Sequence, residues 1–149
     1  MTDVRFYHME QATLDQVLPT IAMKAWQSGS HVMIRVPDKG EASRLNDLLW
    51  TFQPNAFLPH GADGDKHTEV QPIFITAEND NVNNAKILIL THGCVVDQVA
   101  EFDMVCELLD GRVEVQITDA RTRWKSYKAD NHDLTYWQQN DNGKWGKRG

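Results

Sequence analysis

Residues Ile87–Leu90 read Ile-Leu-Ile-Leu, an unbroken apolar run. A strand with one face in water alternates apolar with polar residues, so a short continuous run marks a strand buried on both faces. Such a strand needs covering layers on either side of its sheet. The opening of the chain supplies the elements for them. Val4 to Met9 alternates as a first strand. Thr13 and Gln16 stand at the spacing of a helix-capping box, and Val17, Leu18, Ile21, Ala22, Ala25 and Trp26 follow at three-and-four spacing. Gly29 supplies the positive φ that ends such a helix. His31 to Val36 is a second strand, and Asp38 and Glu41 flank the start of a second helix with Ala42, Leu45, Leu48 and Leu49 inward. Strand–helix–strand–helix is the rhythm of a parallel sheet with right-handed crossovers.

Further strands are expected at Ile73–Thr76 and Lys86–Leu90. Val95, Val99, Phe102 and Cys106 predict a third long helix closing near Gly111, Val113–Ile117 a last strand, and 119 to about 129 a last helix. A polar tail carrying Trp137 and Trp145 follows. The expected architecture is a single three-layer α/β/α domain over 1–137 with a mostly parallel sheet, and a polar basic tail over 138–149.

Open α/β sheets commonly hold nucleotides, yet the phosphate-binding sequences are missing. The turn Glu10-Gln11-Ala12-Thr13 after the first strand has no glycine, and neither GxxxxGK[ST] nor GxGxxG occurs. The expected fold is therefore Rossmann-like without a phosphate-binding loop, with no cofactor. Neither ATP hydrolysis nor NAD binding is expected.

The chain carries 15 Lys and Arg against 21 Asp and Glu, a net charge of −6. An acidic body opposes tight binding of free single-stranded DNA, because phosphate neutralisation needs positive surface. The charge is uneven, however. From Arg121 onward seven Lys or Arg face three Asp, so this end is +4 and the remainder −10. The basic end suits an anionic partner, or is simply a solvated helix face and tail. Two cysteines without CxxC spacing, no apolar run of about 18 residues and no signal-like N-terminus point to a cytoplasmic protein with no membrane contact.

Three clusters bear on chemistry. His92-Gly93-Cys94 follows the central strand, where open sheets place their sites, and Cys94 with His92 or His60 as base is the pattern of a Cys-dependent hydrolase. The competing reading is a buried Cys acting as a small hydrophobe. Asp63, Asp65, His67 and Glu69 alternate but match neither EF-hand nor zinc spacing, which favours a solvated acidic loop and no metal. Arg121, Trp124, Lys125 and Lys128 fall at i, i+3, i+4 and i+7, setting three cations around an indole on one helix face. That face suits a short acidic peptide with an apolar end. The alternative is that Trp124 packs inward with Ala120 and Tyr127.

Several stretches together resemble the chi subunit of bacterial DNA polymerase III. They are Val4-Arg5-Phe6-Tyr7, Ala25-Trp26-Gln27-Ser28-Gly29, Arg44-Leu45-Asn46-Asp47-Leu48-Leu49-Trp50, Phe57-Leu58-Pro59-His60, and the basic run Ala120 to Lys128. The resemblance implies a non-catalytic clamp-loader accessory subunit. Chi-like proteins bridge the psi subunit and the acidic, Phe-terminated tail of single-stranded-DNA-binding protein, and so meet DNA indirectly. By similarity Arg121, Trp124 and Lys125 match tail-contact positions, with Lys128 beside them. Trp50 and Phe57, together with Phe52, Leu58 and Pro59, fall in the psi-facing region. One departure stands out: where the family can carry a Lys one turn before Arg121, this chain has Ile117 and Thr118.

Overall fold

The computed structural model describes residues 2–51, 61–62, 72–81, 83–96 and 99–148, with backbone alone at 50, 51, 61 and 62. Among the described residues there are eight strands, β1 (Asp3–Met9), β2 (Val32–Arg35), β3 (Gly61–Ala62), β4 (Ile73–Thr76), β5 (Ile87–Leu90), β6 (Met104–Asp110), β7 (Asp133–Gln139) and β8 (Trp145–Lys147). They form one sheet in the order β3-β4-β2-β5-β6-β1-β7-β8. Every pairing is parallel except the last, β7 with β8. The helices are α1 (Leu14–Gln27), α2 (Lys39–Thr51) and α3 (Glu114–Ala129).

Strand alternation sorts the core into two layers. On one face Ile34, Ile87, Ile89, Cys106 and Leu108 pack beneath Leu18 and Ala22 of α1 and Leu45 and Leu49 of α2. On the other, Val4, Phe6, Leu88, Leu90, Val105 and Leu109 pack beneath Ala120 and Tyr127 of α3 and the segment bearing Val96 and Phe102. The Ile-Leu-Ile-Leu run contributes to both layers and is the buried central strand it was read to be. Gln16 Oε1 accepts the Thr13 N–H at 2.9 Å, and Gly29 closes the α1 end with φ +93°. The first follows from the capping-box spacing and the second from glycine's tolerance of positive φ.

The C-terminal half departs from the expectation. The third long helix is absent: after a 3-10 turn at Val99–Glu101 the chain enters β6. Met, Leu and Glu are good helix formers and the apolar spacing was ambiguous, but the slot between β1 and β5 offers parallel pairing on both sides. Conversely, Val113–Ile117 is not a strand but the start of α3. Its alternation would have put Val113, Val115 and Ile117 on one face, whereas Val115 is 62% exposed and Ile117 packs against the core. The stretch with Trp137 and Trp145 is not a loose tail either. Those residues belong to β7 and β8, which extend the sheet beyond β1.

A buried ionic knot ties α3 down. Glu107 of β6 is 2% exposed. It accepts two hydrogen bonds from Arg123 Nε, at 2.8 and 2.9 Å, and one from the Tyr127 hydroxyl at 2.8 Å. Arg123 Nη2 adds an ion-pair contact at 2.8 Å. Burial, and then the charge of Glu107, pushes the Tyr127 phenol well above its usual pKa, so it remains a donor.

Candidate functional site

The outer side of α3 carries the basic aromatic cluster. Arg121, Trp124 and Lys125 line a cavity of about 290 Å³ together with Ala120 and Tyr136. Arg121, Lys125 and Lys128 are exposed and form no hydrogen bond or ion pair among the described residues. Lys128 lies one turn further along α3 and does not line the cavity. Trp124 reconciles the two readings of the sequence. It is half-buried, it packs on the core, and one side of it faces the cavity.

The wall of the cavity is set by distant residues. Phe6 of β1, fully buried, holds the Trp124 indole at 5.4 Å between centroids and stacks on Tyr136 at 5.9 Å. Trp124 and Tyr136 meet nearly edge to face at 6.0 Å and 70°. Aromatic groups locked this way lose little entropy on binding, so the surface is prepared for a ligand. The Tyr136 hydroxyl bonds His8 Nδ1 at 2.6 Å. Burial raises the Tyr136 phenol pKa, with the positive Arg121 acting in the opposite sense. Tyr136 was missed by sequence reasoning because it lies on β7, a strand that reasoning did not assign. Alternation in Leu134-Thr135-Tyr136-Trp137 was the available signal. At the departure noted above, Ile117 is partly buried and packs against the core layer.

The turn after β1 is filled from within. Gln139 Oε1 accepts the backbone N–H groups of Glu10, Gln11 and Ala12 at 3.0, 3.1 and 3.0 Å. Consecutive N–H groups converging there are what a phosphate would use, so an anion would have to displace this side chain.

Cys94 and His92 do not form a dyad. Burial pushes the Cys94 thiol above its usual pKa, the reverse of an activated nucleophile. His92 Nε2 instead meets Glu41 Oε2 at 2.5 Å, bridging the turn after β5 to α2. Burial drives the Cys106 thiol up to about 12. No cluster of three or more metal-ligating side chains occurs among the described residues, nor any helix long and apolar enough to cross a membrane. His60, Asp63, Asp65, His67 and Glu69 lie outside the described residues, as do Phe52, Phe57, Leu58 and Pro59. Trp50 falls in the last turn of α2, where only the backbone is described.

The family described as "DNA polymerase III chi subunit, HolC" matches residues 1–135. The chain belongs to this family. Among curated relatives, the probable DNA polymerase III subunit chi of Rickettsia prowazekii is 26% identical, over 99% of this chain and 92% of its own length. The subunit chi of Escherichia coli K12 is 25% identical over 90% of this chain and 96% of the relative. That of Pseudomonas aeruginosa is 28% identical over 90% and 94%. The match runs from β1 to the start of β7 of this chi-family chain and includes α3 with Arg121, Trp124 and Lys125, ending just before Tyr136.

Proposed function

We propose that this chi-family chain is a non-catalytic accessory subunit of the DNA polymerase III clamp-loader complex. In this role it bridges the psi subunit and the acidic C-terminal tail of single-stranded-DNA-binding protein. The observation that carries the reading is the cavity on α3, where, among the described residues, two uncommitted cations flank a preset aromatic wall and no carboxylate lines the opening. An acidic peptide ending in Phe complements it: the ring enters beside Trp124 and Tyr136, while Arg121 and Lys125 meet the carboxylates. Psi would take a separate surface around Trp50, Phe52, Phe57, Leu58 and Pro59, which rests on resemblance alone.

Isothermal titration with a peptide ending Asp-Asp-Ile-Pro-Phe tests this reading. Arg121→Ala and Trp124→Ala should each weaken binding by about 1–3 kcal/mol, roughly 5- to 150-fold. Affinity should also fall as salt is raised. Trp124 supports the core, so the exposed Arg121 and Lys125 serve as the variants least able to disturb the fold. Phe57→Ala should weaken psi binding and leave the peptide untouched. Unchanged peptide affinity in both Arg121→Ala and Trp124→Ala, with circular dichroism intact, would remove α3 from the interface.

A further inference from the structure

Among the described residues, the sheet face opposite α3 is covered only in part. Along β1, Val4 and Phe6 are fully buried beneath α3, whereas Arg5 and Tyr7, pointing the other way, remain partly exposed. The strand register sets Tyr7 beside Trp137 of β7, which is also only half-buried. From β8, Trp145 stands edge-on to Tyr7 at 5.5 Å and 87°, and is 36% exposed. Between these rings and the flank of α1 runs a trough of about 400 Å³. Its α1 wall extends from Gln16 to Ser28, a length of about 18 Å at the helical rise.

We propose that this trough docks one amphipathic, acidic helix of a partner protein. Its shape argues for a helix. The strip from β6 to β8 spans four strands, about 14 Å across, and a helix with its side chains measures about 10–12 Å. Small residues on the α1 side, Thr20, Ala25 and Ser28, permit the close approach of a second helix. The exposed strip presents the side-chain face of the sheet and has a strand edge only at its border, β8, so a segment lying across it must satisfy its own backbone, as a helix does.

Charge selects the partner further. In a chain of net charge −6, the trough is lined by two cations, Arg5 and Lys24, and by no carboxylate among the described residues. Arg5 is partly engaged by Asp3 at 3.0 Å. Lys24 is exposed and makes no hydrogen bond or ion pair among the described residues. The partner helix therefore presents an apolar stripe to Tyr7, Ile21 and Met104 and a Glu or Asp toward Lys24. Because α3 lies on the opposite face, this site is independent of the acidic-tail cavity.

The test uses the full chain and two synthetic helices of about 15 residues. Both carry Leu at helical i, i+3, i+4 and i+7 spacing, one flanked by Glu and the other by Lys. Binding is followed by Trp fluorescence and titration calorimetry. The Glu-flanked helix should bind at least about tenfold more tightly. Lys24→Glu should erase that preference, and Thr20→Trp should fill the trough and block both helices. The tail peptide's affinity and the thermal melt should be unchanged in both variants. Equal binding of the two helices, no binding, or binding indifferent to Thr20→Trp overturns the proposal. So does displacement of the Glu-flanked helix by decanoate at stoichiometric ratio, which would make the trough a small-anion site. Concentration-dependent dimerisation abolished by Thr20→Trp also overturns it, because the occupant would then be a second copy of the chain.

Discussion

Removing the guanidinium of Arg123 should be among the most damaging single changes to the α3 anchor, although this residue does not line the α3 cavity. Arg123→Met retains much of the aliphatic length but leaves Glu107, 2% exposed, without its counter-ion and without three of its short contacts. An uncompensated buried charge of this kind costs about 3–5 kcal/mol. In a domain of this length 1 kcal/mol moves the melting midpoint by about 2–4 °C, so the expected drop is roughly 6–20 °C. Pairing it with Glu107→Leu should recover part of the loss, since apolar replacements of buried ion pairs are often neutral or stabilising. The remainder, about 1–3 kcal/mol, belongs to the Tyr127 hydroxyl, which loses its acceptor, and Tyr127→Phe should restore it. Urea unfolding of the single, double and triple variants provides the assay. Tail-peptide titration well below the melt should show little change in any of them. A loss under about 1 kcal/mol in Arg123→Met would mean that water reaches Glu107 and that the knot does not hold α3.

Gln139→Ala should free the N–H groups of Glu10, Gln11 and Ala12, costing about 1–3 kcal/mol and accelerating hydrogen exchange at those three turn amides relative to the amides of β1. Unchanged exchange there would show that Gln139 does not cap the turn. The pH dependence of stability should carry a signature of Glu41. Hydrogen bonding from Arg44 foremost, aided by His92 and opposed by burial, holds this carboxyl below its usual range. A carboxyl depressed in the folded state contributes stability above its unfolded value of about 4.3, and loses that contribution as pH falls through the lower folded value. Glu41→Gln should therefore flatten the acid limb of the stability profile, and an identical limb in the variant would show that the pairing is solvent-screened.

Much of the N-terminal half is written locally. Thr13 with Gln16, Gly29 at φ +93°, and the stripe from Val17 to Ala25 specify α1 through contacts within a few residues of one another. The Ile87–Leu90 run similarly marks the central strand, and the i, i+3, i+4 spacing of Arg121, Trp124 and Lys125 sets the three on one face. The sequence could not decide between helix and strand for Met104–Asp110 and Val113–Ile117. Each segment carries residues and spacing compatible with either state. Parallel pairing with β1 and β5 settles the first, and burial of Ile117, Ala120 and Tyr127 against the sheet settles the second. The cavity itself is also a product of tertiary structure. Trp124 acquires its wall from Phe6, 118 positions earlier, and from Tyr136 on a strand that exists only because β1 leaves an edge for it. Local propensity can choose which face of a helix is basic. Only packing between residues far apart in the chain determines whether that face encloses a site.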